Sequence, residues 1–400
     1  MTGVFQAVKV TDRVYWVGAI DWALRDFHGY HTGRGTTYNA YLVMGEKIAL
    51  VDTVKAPFKD EMLARVASVV DPRRIEYIIS NHSEMDHSGS LPAVMEAIKP
   101  EKVFASQMGA KALGEHFHIG GITAVKDGEK VALGGIDCVF METRMLHWPD
   151  SMFTYLPEEE LLFSQDGFGM HLASGERFDD ELDWAVMESE AAKYYANIVL
   201  PYSPVVAKTL EKVAAAGLKV KIIAPDHGPV WRRDVGKIVG LYGKWAAQKP
   251  TRKAVVAYDT MWGSTAAMAK AIGEGLAAGG LDVKVFAMGG AHRSDVVTEL
   301  LCAGAFVVGS PTINNGMFPT IADLLTYAKG LKPRNLVGAA FGSYGWSGES
   351  VGQVAEILKA MKVELAGEGL KAVYVPDAAA LAACRQLGLD VAGKVNQNTA

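Results

Sequence analysis

A short cluster of metal-binding residue types near residue 82 constrains this chain more than any other feature of its sequence. His82, Glu84, Asp86 and His87 fall within six residues and directly follow the apolar, β-rich run 75–80. Histidine nitrogens and carboxylate oxygens together form a ligand set for zinc, iron or manganese. In an extended segment, alternation sends His82, Glu84 and Asp86 to the same side. We therefore predict a metal site here rather than a solvated polar loop.

Three further candidate ligands lie downstream, and each comes at the end of an apolar, strand-like run. They are His147 after residues 139–146, Asp166 after residues 161–165 and His227 after residues 220–225. Because they repeat the arrangement of the first cluster, a ligand type placed after a strand, they strengthen the prediction of a metal site.

The pattern His-x-Glu-x-Asp-His, followed by distant His, Asp and His, resembles that of the flavodiiron protein family. Members of this family join a metallo-β-lactamase fold to a flavodoxin-like domain, and the resemblance covers nearly the whole chain. Hydrolases of the same fold carry a different version of this motif, His-x-His-x-Asp-His, and usually hold zinc. Here Glu84 takes the place of the second histidine, and its harder, anionic oxygen favours iron. The exchange indicates an iron oxidoreductase rather than a hydrolase.

Composition limits the classes of protein to which the chain can belong. Its 400 residues suffice for two domains, and half of them are hydrophobic, so full-sized cores can form. The formal net charge of −5 argues against nonspecific nucleic-acid binding, and no apolar run is long enough to span a membrane. The first residues show no secretory signal pattern, so we expect a cytoplasmic location. The three dispersed cysteines exclude an iron–sulfur cluster or a rubredoxin-type site within the chain.

The order of elements divides the chain into two parts. The first part contains short strands, for example at 14–17, 38–43 and 47–51, with helices between some of them; propensity alone assigns it only to α+β. Residues 249–253 form a polar, proline-containing linker. Five strands then alternate with helices, which predicts a doubly wound parallel sheet. These strands lie at 254–258, 283–286, 305–309, 337–341 and 372–375.

The family resemblance makes this architecture specific. It implies an α+β metallo-β-lactamase-like αββα sandwich over residues 1–249, which carries the diiron site. It also implies an α/β flavodoxin-like, doubly wound parallel sheet over residues 250–400, which binds FMN.

Three loops of the second part fall at the carboxyl ends of its strands, where such sheets bind ligands. The loop 259–265 places the hydroxyls of Thr260, Ser264 and Thr265 at the start of a helix, which makes an anion site. It lacks the lysine of a Walker A motif and the spacing of a dinucleotide fingerprint, so we expect a monophosphate. The other loops cover residues 310–316 and 342–348. In the last loop aromatic residues alternate with glycines, which permits stacking on a flat ligand.

These loops resemble the phosphate loop and the two ring-binding loops of flavodoxins, and the resemblance implies FMN. It places Thr260, Ser264 and Thr265 on the phosphate and the other two loops near the isoalloxazine. The complete set of expected FMN-binding residues is Thr260, Met261, Trp262, Gly263, Ser264, Thr265, Pro311, Thr312, Ile313, Asn314, Asn315, Ser343, Tyr344, Gly345, Trp346, Ser347 and Gly348.

The same resemblance distributes the metal ligands over two non-haem irons. It implies that one iron is held by His82, Glu84 and His147, the second by Asp86, His87 and His227, and that Asp166 bridges them. Whether His87 binds iron stays open, because the equivalent histidine of some family members is off the metal. His28, His171, Tyr194 and Tyr195 are candidates near the substrate. The family places equivalents of His28, His171 and Tyr195 around the metals, and we expect these three to be catalytic.

The function that the resemblance implies is reduction of dioxygen to water, of nitric oxide to nitrous oxide, or of both, with electrons relayed through FMN. The sequence does not distinguish the two gases. One alternative is a dinuclear zinc hydrolase, against which Glu84 and the flavin-like domain argue. The other is a flavodoxin-like electron carrier with an inactive metal domain, against which the complete ligand set argues.

Two kinds of partner follow from this interpretation. The chain has neither a cysteine quartet for a rubredoxin centre nor a nicotinamide dinucleotide fingerprint, so we expect an external donor. The resemblance points to a rubredoxin-like protein. It also implies a head-to-tail homodimer, or a dimer of such dimers, in which the FMN of one chain faces the diiron site of the other.

Overall fold

The computed structural model describes residues 4–399 and separates into two compact units. The first unit runs to His28 and continues over Thr32–Tyr194 and Pro204–Gly243; the second contains Gly29–His31, Tyr195–Ser203 and the chain from Lys244 onward. The domain limit between residues 249 and 250 stays a prediction, and the outer limits at residues 1 and 400 lie outside the described part. Within residues 4–399, no helix is both long and apolar enough to cross a membrane.

Two β-sheets form the centre of the first unit. In spatial order, the strands of the larger sheet are Val8–Lys9, Val14–Trp16, Tyr41–Met44, Ile48–Val51, Ile75–Ser80, Lys102–Ser106 and Ile122–Val125. Those of the smaller sheet are Lys130–Ala132, Asp137–Glu142, Met152–Leu156, Leu161–Gln165 and Ile222–Pro225. Both sheets are mixed, since antiparallel strands at one side give way to parallel pairs at the other.

Side chains of the larger sheet alternate between its two faces and pack into two separate cores. Tyr41 and Val43 pack with Phe163 of the smaller sheet, so this core lies between the two sheets. Leu42 points the other way, into a cluster with the helices that cover the outer face. These helices are Lys59–Ala67, Leu91–Ile98 and Gln107–Phe117. They form one outer layer of the sandwich.

Helices also cover the outer face of the smaller sheet. Phe153 and Leu162 of this sheet line the same cleft as Thr209 and Val239. The last two residues belong to the helices Ser203–Ala215 and Val235–Ala247; the helix Trp184–Tyr194 precedes them in the chain. The layers are therefore helix, sheet, sheet and helix, and the predicted αββα sandwich is confirmed.

One strand predicted in this unit is wrong in detail. The run 38–43 is broken, because one strand ends at Tyr38 and the next begins at Tyr41. Asn39 lies at the break, where its side-chain amide donates to the carbonyls of Pro225 and Gly228 at 2.7 and 3.0 Å. The polar anchor overrides the β-propensity of the run, and it ties this segment to the chain on both sides of His227.

A parallel sheet forms the second unit, as predicted. Its strands follow in the order Asp282–Ala287, Lys253–Tyr258, Ala305–Gly309 and Val337–Tyr344, and the short strands Glu364–Leu365 and Leu370–Val373 both pair with the last of these. All of these pairs are parallel. The helices are Ser264–Ala278, Arg293–Leu300, Pro319–Leu331, Glu349–Ala360 and Ala378–Thr399. This strand order is that of flavodoxin-like sheets.

Candidate metal centre and flavin pocket

The predicted metal ligands converge in two groups within the first unit. The first group is His82, Glu84, His147 and Asp166, and the second is Asp86, His87 and His227. Within each group the candidate ligand atoms lie no more than 4.8 Å apart. All of these side chains are buried, so their charges are poorly solvated and need partners.

The loop after the strand Ile75–Ser80 supplies ligands to both groups. The expected alternation of His82, Glu84 and Asp86 is wrong, because a short helix begins at Met85. His82 and Glu84 precede the helix and belong to the first group, whereas Asp86 and His87 lie on it and belong to the second. The change from extended to helical backbone therefore divides one sequence cluster between two sites.

The remaining ligands come from loops at one edge of the smaller sheet. Asp166 directly follows Leu161–Gln165, and His227 follows the neighbouring strand Ile222–Pro225 after one residue. These two strands are parallel, so both residues leave the sheet at the same edge. His147 does not directly follow a strand as predicted. The preceding strand ends at Glu142, and His147 lies in the loop beyond it.

Asp166 lies between the two groups. Its Oδ2 is 2.8 Å from His147 Nε2 and 3.4 Å from His82 Nε2. Its Oδ1 is 3.1 Å from His87 Nε2 and 3.5 Å from His227 Nε2. One carboxylate oxygen thus faces each group, which is the arrangement required of a residue that bridges two metal ions.

A second carboxylate completes each group. Glu84 Oε2 is 3.3 Å from His82 Nε2 and 3.4 Å from His147 Nε2. Asp86 Oδ2 is 3.2 Å from His227 Nε2. Each group therefore combines imidazole nitrogens with carboxylate oxygens, a set that suits divalent iron better than an all-histidine set does.

Several atoms of this cluster are buried without a hydrogen bond. Within residues 4–399, five of these atoms have no hydrogen-bond partner. They are both carboxylate oxygens of Asp86, both ring nitrogens of His87 and Oδ1 of Asp166. A buried polar atom left in this state costs about 1–3 kcal/mol. Bound cations would supply the missing partners. The residues therefore fit a pair of metal ions.

The charges of the cluster shift one another's pKa values. Burial disfavours charge on Asp166, but His87 and His147 hold the pKa of this carboxyl well below its usual range. Burial likewise acts against a charged His87, but Asp86 and Asp166 raise the pKa of its imidazole to about 10. A ligating imidazole must give up this extra proton, so metal binding releases protons and strengthens as pH rises.

Acceptors in the protein orient two of the histidines. Asp150 Oδ2 lies 3.1 Å from His82 Nδ1 and accepts the Ser83 N–H at 2.6 Å. The carbonyl oxygen of Thr37 lies 2.6 Å from His227 Nδ1. Both contacts place the ring proton on Nδ1 and leave Nε2 for a metal. Sequence analysis missed Asp150 because a single loop aspartate carries no pattern of its own.

A cavity of about 550 Å³ opens at the carboxyl ends of the strands in the second unit. Most of the expected FMN-binding residues line it, namely Met261, Trp262, Ser264, Pro311, Thr312, Ile313, Asn314, Asn315, Ser343, Tyr344, Gly345, Trp346 and Ser347. Thr260, Gly263, Thr265 and Gly348 are not in this lining. Tyr374 and Val375 line the cavity as well and were missed. They follow the strand Leu370–Val373, so the strand-end rule could have found them.

The start of one helix suits a phosphate. The helix Ser264–Ala278 begins without a hydrogen bond from a capping side chain. Gly263 precedes it in a left-handed conformation, with φ of 88°, and donates its N–H to Thr260 Oγ1 at 3.1 Å. The first N–H groups of the helix and its dipole can therefore receive an anion. With the tryptophans of the cavity wall, this fits a flat ligand that carries one phosphate.

Known proteins share both units with this chain. Residues 36–228 match the family model "ODP family beta lactamase", and residues 256–388 match "Flavodoxin". The chain is 48% identical to the nitric oxide reductase of Moorella thermoacetica, over 98% of this chain and 99% of that protein. The flavodiiron protein from Giardia intestinalis has the same fold, with a TM-score of 0.96 and 32% identity over 100% of both chains. The chain belongs to the flavodiiron protein family.

A second relative agrees with this assignment. The rubredoxin-oxygen oxidoreductase of Megalodesulfovibrio gigas is 46% identical to this flavodiiron protein, over 93% of this chain and 94% of the relative. The chain is accordingly an oxidoreductase of the flavodiiron type, and its cofactors are FMN and a diiron centre. The predicted family, fold class and cofactors are confirmed.

Two histidines predicted to be catalytic lie beside the ligands of this flavodiiron protein. His28 Nε2 is 3.2 Å from Glu84 Oε1, and the His28 side chain is 71% exposed. His171 is fully buried, and its Nδ1 lies 2.9 Å from Thr36 Oγ1. The ring centroids of His171 and His227 are 4.6 Å apart. One histidine therefore reaches the cluster from solvent and the other from the interior.

The neighbouring tyrosines differ in their surroundings. The ring of Tyr194 packs against His171, with centroids 5.1 Å apart. The hydroxyl of Tyr195 lies 3.1 Å from Ser203 Oγ, and its ring packs against Trp245. Tyr194 ends an α-helix and Tyr195 begins a π-helix. The catalytic role of Tyr195 stays a prediction.

Proposed function

We propose that this flavodiiron protein reduces dioxygen to water, nitric oxide to nitrous oxide, or both, with electrons relayed through FMN. The observation that carries the proposal is Asp166, which presents one oxygen to each ligand group. When bound, the irons provide the positions at which gas is reduced, and FMN provides electrons singly. Dioxygen takes four electrons and four protons to give two waters. Two nitric oxide molecules take two electrons and two protons to give nitrous oxide and water.

The grouping of side chains supports a specific ligand assignment. His82, Glu84 and His147 would hold the first iron, Asp86, His87 and His227 would hold the second, and Asp166 would offer one oxygen to each. In this assignment the protein supplies three carboxylates, whose negative charges offset most of the charge of two ferrous ions. The assignment includes His87, which the sequence left open, because its Nε2 lies 3.1 Å from Asp166 Oδ1.

Residues beside the ligands have proposed roles in transferring protons and in excluding water. His28 is exposed and contacts Glu84 Oε1, so it can carry protons from solvent to the edge of the centre. Burial, followed by the effect of His227, lowers the pKa of His171 well below its usual range. His171 therefore stays neutral and, with Tyr194, keeps water from the inner side. Tyr195 remains a proposed catalytic residue on the family resemblance alone.

The cavity in the second unit supports a proposal for how FMN is held. Ser264 and the N–H groups that follow Gly263 receive the phosphate. Trp346 and Tyr344 lie on the cavity wall and can cover the ring system, as can Met261 and Trp262. Thr265 supports the wall indirectly, because its Oγ1 lies 2.9 Å from Ser343 Oγ. The other predicted FMN-binding residues remain proposed contacts to the phosphate or the isoalloxazine ring.

The two alternatives have less support. A zinc hydrolase needs neither Glu84 in place of a histidine nor a flavin pocket on the same chain. A simple electron carrier needs no buried ligand cluster with unpaired atoms. The relatives, in addition, are named as oxidoreductases.

We expect the purified protein to contain close to two irons per chain. Glu84 and the bridging Asp166 provide hard, anionic oxygens that favour ferrous iron over zinc. Elemental analysis after expression in iron-replete medium measures the result. Two zincs and no iron in the native protein would contradict the assignment. Glu84→His is the comparison, and it should shift the bound metal toward zinc.

We expect gas reduction to depend on an external donor. A rubredoxin-like protein is proposed, since the chain lacks a cysteine quartet and a dinucleotide fingerprint. Anaerobic assays with measured additions of each gas should show slow turnover on NADH alone. Turnover should become rapid when a rubredoxin and its NADH-dependent reductase are added. Rapid reduction by the isolated chain on NADH would show that it has its own dinucleotide site.

We also propose a head-to-tail homodimer, or a dimer of such dimers. Trp262 and Trp346, at the rim of the flavin cavity, are 95% and 89% exposed. Exposed aromatic groups around a redox cofactor are typical of a surface that a partner covers. Light scattering should therefore give a dimer or tetramer, and specific activity should fall on dilution to monomers. A fully active monomer would exclude this arrangement.

The location in the cell stays a prediction. The sequence favours the cytoplasm, where an electron supply through NADH and small redox proteins is available. Fractionation of the source cells, with activity followed in each fraction, tests it.

A further inference from the structure

Asp226 is a buried carboxylate without a hydrogen bond. It is fully shielded from solvent, and within residues 4–399 neither of its side-chain oxygens has a hydrogen-bond partner. Its backbone is fixed on both sides: its N–H donates to the Gln165 carbonyl at 2.9 Å, and its carbonyl accepts from the Asn39 N–H at 2.7 Å. A buried polar group that lacks a hydrogen-bond partner is costly. Asp226 therefore requires a partner that its side chain can reach.

His87 is the residue that Asp226 faces. His87 Nδ1 lies 3.6 Å from Asp226 Oδ2, while Nε2 on the other side of the ring points to Asp166. Neither ring nitrogen has a hydrogen-bond partner in the described part of the chain. The His87 carbonyl is already held, because it accepts from the Thr53 N–H at 3.0 Å and hydroxyl at 2.5 Å. What remains to be fixed is the orientation of the imidazole ring.

A further buried carboxylate, that of Asp52, is already engaged. Asp52 accepts from the N–H and the side-chain amide of Asn81, at 2.7 and 2.8 Å. Two other histidine ligands have Nδ1 at hydrogen-bond distance from an acceptor, Asp150 for His82 and the Thr37 carbonyl for His227. At 3.6 Å, the pair Asp226 and His87 is beyond that distance. His87 is thus the least firmly held of these three histidines.

We propose that Asp226 is the positioning residue of His87 and decides whether this histidine binds the second iron. A histidine that binds metal through Nε2 carries its proton on Nδ1. Donation of that proton to Asp226 pairs the carboxylate, fixes the ring and leaves Nε2 facing Asp86 and Asp166. The inference rests on the ligand assignment proposed above.

A double-mutant cycle tests the proposal on the full-length protein. Ferrous iron is titrated anaerobically into the metal-depleted, FMN-containing protein and into Asp226→Leu, His87→Ala and the double variant. We expect Asp226→Leu to weaken the second equivalent roughly 10–100-fold and to spare the first. In the His87→Ala background, the same substitution should cause no further loss.

Two conservative variants control the cycle. Asp226→Asn keeps the size and one acceptor oxygen, so it should fold where leucine does not and should lose less affinity. Asp150→Asn should affect the first equivalent instead, because Asp150 contacts His82. In ¹⁵N-histidine spectra of the zinc-loaded protein, the Nδ1 proton of His87 should be visible and should disappear in Asp226→Leu or shift in Asp226→Asn.

The outcomes separate this inference from the proposed function. Equal losses from an Asp226 substitution with and without His87 would mean that the carboxylate acts on the fold alone, and the inference would be wrong. No loss in the presence of His87 would also overturn it while leaving the function intact. A native protein that binds fewer than two irons would overturn both.

Discussion

Replacement of Asp166 by alanine should remove both irons and abolish gas reduction while FMN stays bound. Asp166 contacts histidines of both ligand groups, one through each oxygen, so its loss affects both metals at once. Removing even a residue behind a ligand typically costs 10–100-fold in metal affinity or activity. The loss of a shared ligand should therefore exceed about 100-fold in iron affinity. Elemental analysis measures the loss of iron, flavin absorbance measures the retention of FMN, and turnover assays with each gas measure the loss of activity.

An exposed aspartate supplies the control for this variant. Asp12 has a side chain that is 92% exposed and forms a surface ion pair with Lys9, and such exposed pairs contribute little to stability. Asp12→Ala should retain two irons and the native rate. If Asp166→Ala also retained them, the bridging assignment would have to be abandoned.

The residue types of the metal site could be predicted from the sequence, but their division between two metals could not be derived from periodicity. Alternation predicts that Asp86 follows Glu84 on one side, whereas a helix that starts at Met85 turns Asp86 away. Four residues of helix are too few to show a 3.6-residue period. The division of the ligands between two metals came from the family resemblance, because the resemblance carries over the known arrangement of a whole site, whereas periodicity describes only neighbouring residues.

Residues without a local pattern could not be predicted. Asp150 and Asp226 each occur in a loop, and only the fold brings them to His82 and His87. The two-residue strand Glu364–Leu365 was too short to be predicted. The other five strands of the parallel sheet were predicted because each contains an apolar run. The missed residue Tyr374 follows the last of them, where the rule for doubly wound sheets applied but was used for only three loops.

Replacement of Ser264 by aspartate should abolish FMN binding without harming the fold or the iron content. Ser264 opens a helix that lacks a side-chain cap and lines the flavin cavity. A carboxylate there interacts favourably with the helix dipole, by about 0.3–1 kcal/mol, so the helix should be retained. The same charge repels the phosphate by about 4 kcal/mol at a separation of ~4 Å and an effective dielectric constant near 20. That energy corresponds to about 1000-fold in the dissociation constant.

Two comparisons show whether charge is the cause. Ser264→Ala removes one hydroxyl but leaves the N–H groups of the helix, so its FMN affinity should fall only several-fold. Flavin fluorescence titrations should therefore separate the aspartate and alanine variants by more than tenfold. Both should keep two irons, because Ser264 and the metal ligands lie in different units. The aspartate variant should nevertheless reduce neither gas with rubredoxin as donor, since electrons reach the irons through FMN. Native FMN affinity in Ser264→Asp would mean that the phosphate binds elsewhere, and the loop 259–265 would lose its assigned role.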